Sequence, residues 1–110
     1  MDWSAAKAKE IFKEVYGAKI KRTPRSIGYD FEAVSETGKT YAIEAKGTDT
    51  DRPDGRIQIK WKQLEALILA RDQGKVPILF IANQRGDFGA FVLQHSILNN
   101  DEHYEKGELP

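Results

Sequence analysis

Asp30, Glu44 and Lys46 are the residues of this chain whose types and spacing fit a chemistry. They lie in the run from Gly28 to Gly47, GYDFEAVSETGKTYAIEAKG, which reads as a β-hairpin. Ser35-Glu36-Thr37-Gly38-Lys39 has the composition of a three-residue hairpin loop, with Gly38 in the left-handed position that completes a G1 bulge. If Ser35 closes against Lys39, the register sets Asp30 opposite Glu44. Strand side chains alternate faces, so Tyr29, Phe31, Ala33, Tyr41, Ile43 and Ala45 form a core face. Asp30, Glu32, Glu44 and Lys46 take the other. A two-residue turn at Thr37 and Gly38 would instead put the two acids on opposite faces. Like charges directly opposed on a sheet cost stability, so the pair calls for a cation, which Lys46 or a divalent metal would supply. Two carboxylates and a lysine so placed suit a metal-and-water site for cutting phosphodiesters. The competing reading is an ordinary hairpin with a solvated, charged outer face.

Composition bounds what can surround this hairpin. With 110 residues, a single domain is expected, residues 1–98, followed by an acidic and flexible tail over 99–110. There is no cysteine, which excludes disulfides, zinc–cysteine sites and iron–sulfur clusters. The first residues lack the apolar stretch of a signal peptide and no run approaches membrane-spanning length, so a cytoplasmic protein without membrane contact is expected. Net charge is zero, which argues against a generic polyanion binder. The charge is uneven, however. Lys7, Lys9, Lys13, Lys19, Lys21, Arg22 and Arg25 make the first quarter basic, while Asp101, Glu102, Glu105 and Glu108 make the end acidic. The basic group is suited to gripping phosphates, or equally to forming the wet face of a helix.

The elements that must position the hairpin follow a readable order. Helical spacing runs from Trp3 to Tyr16, with Trp3, Ile11, Phe12, Val15 and Tyr16 as the expected buried stripe and Gly17 as the stop. A basic connection through Pro24 leads into the hairpin. Thr48 to Gly55 is a polar turn-forming loop, and Arg56 to Lys60 alternates as a short strand. Trp61 to Gln73 reads as a helix burying Leu64, Leu67, Ile68 and Trp61, ending at Gly74. Val76 to Ala82 is an apolar run suited to a strand covered on both faces. Gln84 to Asp87 is a turn, and Phe88 to Leu93 a last strand. An α/β fold with a central mixed sheet flanked by helices, in the order α-β-β-β-α-β-β, is the result.

Asp30 followed by Glu44-Ala45-Lys46 after a short turn resembles the PD-(D/E)xK nuclease superfamily, whose pattern is a strand-borne Asp and then Glu-x-Lys. Within it, the chain looks most like the small archaeal Holliday-junction resolvases, over roughly residues 5 to 95. Ile43-Glu44-Ala45-Lys46-Gly47-Thr48 is also similar to nuclease-like domains of restriction and defence proteins. The resemblance implies a restriction endonuclease-like core, hydrolysis of DNA with Mg²⁺ or Mn²⁺ to leave a 5′ phosphate, a preference for branched or otherwise structured DNA, and a homodimer, for which Phe88, Phe91 or apolar residues of the helices are the expected interface. A larger nuclease or defence complex is a further implied setting. The chain also departs from the pattern. Gly28 and Tyr29, not a proline, precede Asp30, and Gln63 is followed four residues later by Leu67 where RecB-like nucleases carry Tyr. The helix-one glutamate of resolvases falls near Ala6 or Lys7, so Glu10, about a turn later, is the available substitute as a metal ligand or else a surface charge.

Phosphoryl chemistry then assigns expected roles. Asp30 and Glu44 are hard oxygen ligands for magnesium or manganese, and the main-chain carbonyl of Ala45 adds a third. Lys46 would orient or deprotonate a water or offset developing charge; a plain salt bridge to either acid is its other reading. Gln63, near the start of the second helix, would position the water or a phosphate, or is simply an exposed polar residue. Lys21, Arg22, Arg25, Lys60 and Lys62 are the expected nucleic-acid contacts. A non-catalytic nucleic-acid-binding or protein-interaction module on the same fold is the alternative. Other suggestive runs carry nothing. Gly38-Lys39-Thr40 lacks the first glycine of a phosphate-binding loop and precedes a strand, and His95 and His103 have no metal-ligand spacing.

Overall fold

The computed structural model describes residues 3–48, 59–93 and 104–106. The chain opens with helix α1, Trp3–Glu14, then strand β1, Lys19–Lys21, and a 3₁₀ turn at Arg25–Ile27. Strands β2, Phe31–Val34, and β3, Thr40–Gly47, form the hairpin, and helix α2, Trp61–Asp72, follows. Strands β4, Val76–Ala82, β5, Phe88–Leu93, and β6, Tyr104–Lys106, complete the described residues.

The strands form one mixed sheet in the spatial order β1-β2-β3-β4-β5-β6. Five of them run through β5, and β6 lies along its outer side, paired from Phe91 to Leu93. Neighbours are antiparallel except β3 and β4, which are parallel. A parallel pair needs a crossover, and α2 supplies it. The order up to β5 is the expected α-β-β-β-α-β-β. The strand that completes the first three is Lys19–Lys21, however, read from sequence as a connection. Its three residues alternate too briefly to signal a strand, and only pairing with β2 defines it. The expected strand Arg56–Lys60 lies outside the described residues except for Ile59 and Lys60, which lead into α2. The loop after Thr48 lies outside them too, as does the 99–110 tail apart from β6.

The two helices cover opposite faces of the sheet. On the α1 side, Ala8, Ile11 and Phe12 pack on Phe31, Ala33, Ile43, Ala45, Ile78 and Phe80. Phe12 meets the rings of Tyr16 and Phe31 edge-on. Ser4 and Ala8 take buried places that the expected stripe gave to Trp3 and Val15, both of which are exposed. The helix stops at Glu14, so Val15 falls past its last turn and off its inner face. On the α2 side, Leu64, Leu67 and Ala70 pack on Ala42, Leu79, Ile81, Phe91 and Leu93. Trp61, expected in this core, is 62% exposed, because the buried stripe Leu64-Leu67-Ala70 leaves it on the outer side of the helix. Phe91, expected on an exposed dimer surface, is buried here, and Phe88 is half-buried and stacked on Phe80. Both belong to a strand with covered faces, so neither is a free apolar surface. Among the described residues, no helix is long and apolar enough to cross a membrane.

Candidate functional site

The hairpin closes as the three-residue reading requires. The Ser35 N–H donates to the Lys39 carbonyl at 2.9 Å, and the Gly38 N–H donates to the Ser35 carbonyl at 2.9 Å. Gly38 has φ +86°, a left-handed conformation open to glycine at little cost. The resulting register pairs Phe31 with Ile43 and Ala33 with Tyr41. The strand pairing ends at Phe31 and Ile43, and the Asp30 N–H donates to that same Ile43 carbonyl at 2.9 Å, so Asp30 also meets Ile43 and departs from the regular step that would set it across from Glu44.

Asp30 is held at three points. Besides that amide bond, its carbonyl accepts from the Thr23 hydroxyl at 3.4 Å. Its side-chain Oδ2 accepts from the Ala45 N–H at 2.7 Å. β2 begins only at Phe31, so the carboxylate takes the place of the next strand residue and satisfies a ladder donor that would otherwise have no partner. The N–H and C=O of one strand residue share an edge, so the Ala45 carbonyl lies on the same edge as Asp30.

Glu44 and Lys46 lie on the face of β3 that α2 covers, since Ala42 and the β4 partners Leu79 and Ile81 belong to that side. Glu44 is 2% exposed, and Lys46, two residues on toward the strand end, is half-buried. A cleft of ≈ 250 Å³ opens here, lined by Thr23, Pro24, Gly28, Tyr29, Asp30, Glu44 and Gln63. Its wall depends on Gly28. That residue has φ +95°, and a Cβ there would lie 2.7 Å from the Ala66 Cβ, so the backbone passes against α2 only because glycine has no side chain.

The other expected residues fall around this cleft or away from it. Gln63 lines it, while its Oε1 accepts from the Lys60 N–H at 3.2 Å, the back-reaching half of a helix N-terminal cap. Lys60 and Lys62 flank Gln63 and are exposed. Arg22 is exposed beside the lining residues Thr23 and Pro24, and Arg25 opens the 3₁₀ turn that follows them. Lys21 points elsewhere, with Nζ 4.0 Å from Glu32. Glu10 is not brought to the cleft: it sits on α1, against the opposite face of the sheet, exposed and 3.9 Å from Lys7. Among the described residues, no three His, Asp or Glu side chains gather into a group that could hold a metal ion. The carboxylates that line the cleft are those of Asp30 and Glu44.

Two placements correct the alternation argument. Glu32, expected on a solvated face, is 3% exposed, because α2 covers that face. Tyr29, expected on the α1-side core, packs instead with the α2-side residues. It precedes β2 and follows the left-handed Gly28, so strand alternation does not reach it. Its hydroxyl donates to Glu32 Oε2. Lys75 Nζ donates to the same oxygen at 2.9 Å. Burial by itself would raise the Glu32 pKa, but the hydrogen bonds from Tyr29 and Lys75 and the charges of Lys75 and Lys21 outweigh it and hold the carboxyl below its usual range. Burial first, and then the Glu32 carboxylate, push the Tyr29 phenol far above its ordinary value. The sequence holds one signal for this cluster. A helix between two adjacent parallel strands must cover one face of them, and a glutamate on that face then needs a cation.

No protein-family model matches the chain, and comparison with curated proteins yields no match.

Proposed function

We propose that this chain is a Mg²⁺- or Mn²⁺-dependent DNA endonuclease with a restriction endonuclease-like core, acting at the Asp30–Glu44 cleft. The observation that carries the reading is the shared cleft itself. Asp30 and Glu44 line one concavity, with the Ala45 backbone bound to Asp30 and Lys46 on the same strand face as Glu44. Hard oxygen donors of this kind fit these ions, and Asp30, Glu44 and the Ala45 carbonyl are the groups that would hold one. A bound ion supplies Lewis-acid charge and a more acidic water.

The chain's own residues account for the rest. Asp30 enters the site oriented, because its Oδ2 is fixed by the Ala45 amide. Lys46 brings an ammonium that orients or helps deprotonate a water, or offsets charge developing on the phosphate. Arg22, which precedes Thr23 and Pro24, and Lys60 and Lys62, which precede Gln63, provide cations for the flanking phosphates of a DNA strand. A homodimer is part of the proposal, since one small domain covers little duplex.

A second reading has a specific observation behind it. Both Asp30 and Gln63 already make structural hydrogen bonds, to the Ala45 and Lys60 amides. On that reading the module binds nucleic acid or protein without cutting.

Calorimetric titration with Mn²⁺ separates the two. The wild type should give a binding isotherm that Asp30→Asn and Glu44→Gln each abolish, and Mn²⁺-dependent nicking of branched or linear DNA should disappear with it. Heat that persists in both variants would remove the metal from this cleft, and with it the nuclease reading.

A further inference from the structure

A chain of polar contacts runs from the cleft wall into the sheet and out to the end of α2. Tyr29, which lines the cleft, donates its hydroxyl to Glu32 Oε2. Lys75 donates to that same oxygen at 2.9 Å, and Lys21 stands 4.0 Å from the other. Lys75 follows the end of α2 at Asp72 and the left-handed Gly74, and its N–H turns back to the Ala70 carbonyl at 3.0 Å. Glu32 is almost fully buried, and Lys75 is three-quarters buried at its side chain. A buried carboxylate with a tyrosine and a lysine on a single oxygen is a costly arrangement to assemble for stability alone, because apolar residues of similar volume often serve a core as well.

Position gives the arrangement a use. Tyr29 is joined to Asp30 by one peptide bond, and no regular strand holds either residue, since β2 starts at Phe31. The left-handed Gly28 lies on their other side. Among the described residues, the Asp30 carboxylate is bonded to the Ala45 N–H and the Tyr29 hydroxyl to Glu32. The Asp30 backbone has its own bonds to Ile43 and Thr23, and the phenol held by Glu32 and Lys75 fixes the residue that leads into it.

We propose that Lys75 and Glu32, acting through Tyr29, are positioning residues for the Asp30–Glu44 metal site, a tie between the end of α2 and the turn that carries Asp30. The inference rests on the metal reading of that cleft. It adds three residues that touch neither metal nor DNA phosphate in that reading, and it makes metal affinity depend on a lysine at the far end of α2. Partners that orient the residues around a metal ligand commonly change affinity by about 10–100-fold when removed.

The test is Mn²⁺ titration of the full chain, with thermal unfolding of each variant measured alongside. Tyr29→Phe keeps the ring and deletes only the hydroxyl, and Lys75→Met keeps the stem and deletes the charge. Each should weaken Mn²⁺ binding about tenfold. The double variant should be little weaker than either single one, because both act through Glu32 Oε2. Lys75→Arg should restore affinity to within about threefold of wild type. Affinity unchanged in Tyr29→Phe and Lys75→Met, with only the unfolding temperature lowered, would overturn the positioning role and leave the metal site standing. Absence of Mn²⁺ binding by wild type would remove the metal reading and this inference with it.

Discussion

At the scale of single residues, the site is a set of carboxylates told apart by what surrounds them. Asp30 is locked to a backbone amide, Glu44 is buried at the cleft, and Glu32 is buried with cations and a phenol. On the nuclease reading, removing Lys46 should leave metal binding intact while slowing cleavage by roughly 100-fold, the usual order for a lost proton-transfer or charge-offsetting group. Mn²⁺ titration beside single-turnover kinetics of Lys46→Ala checks both halves. Glu32 makes a pH prediction whose sign is set by its depressed folded-state pKa. Its unfolded value is the ordinary one, about 4.3. Its contribution is then complete above that pH and is lost as the pH falls below it, through the lower folded-state value. Urea unfolding from pH 7 to pH 3 should show a loss of stability in that acidic window that is smaller in Glu32→Gln. Equal pH profiles for the two proteins would mean that Glu32 is not the residue responsible.

At the scale of elements, close approach of chain segments matters more than their propensities. Gly28 passes against Ala66 in a left-handed conformation, so Gly28→Ala meets both a steric and a dihedral penalty. The substitution should cost about 2 kcal/mol in chemical denaturation. Adding Ala66→Gly should recover only the steric part, since it leaves φ unchanged. Trp61 tests the opposite case. Its indole is mostly in water at the first turn of α2, so Trp61→Ser should change stability by less than about 0.5 kcal/mol. A large loss would put that ring back in the core, where its sequence context first suggests it.

At the scale of the whole molecule, a neutral chain carries exposed cations on segments next to the cleft lining. Exposed Arg22 precedes the lining residues Thr23 and Pro24, and exposed Lys60 and Lys62 precede the lining residue Gln63. On the nuclease reading, DNA affinity should fall linearly on a log–log plot against salt. Replacing Lys60 and Lys62 by Ala together should make that slope shallower by about two, roughly one per phosphate contact. Fluorescence anisotropy with labelled DNA across a salt series measures it. An unchanged slope would move the phosphate contacts to other residues.

Much of the architecture was legible in the chain because it is written in local chemistry. Ser35 to Lys39 specifies a three-residue loop, that loop sets the register, and the register pairs β2 with β3 as far as Phe31 and Ile43. The apolar run Val76 to Ala82 is a strand from end to end, since nothing polar interrupts it. What surrounds a face is not local. Alternation told that Glu32 and Glu44 share a side, but only the packing of α2 across that side made both of them buried. It also turned Tyr29 toward that side, swung Trp61 out and drew Lys75 in, each against its neighbours' pattern. β1 exists because β2 offers it hydrogen bonds, and Glu10 faces away because α1 took the other face. Period and turn residues thus determined which atoms could meet along the hairpin. The tertiary fold decided which of them would lose water, and a carboxylate's chemistry depends on that loss.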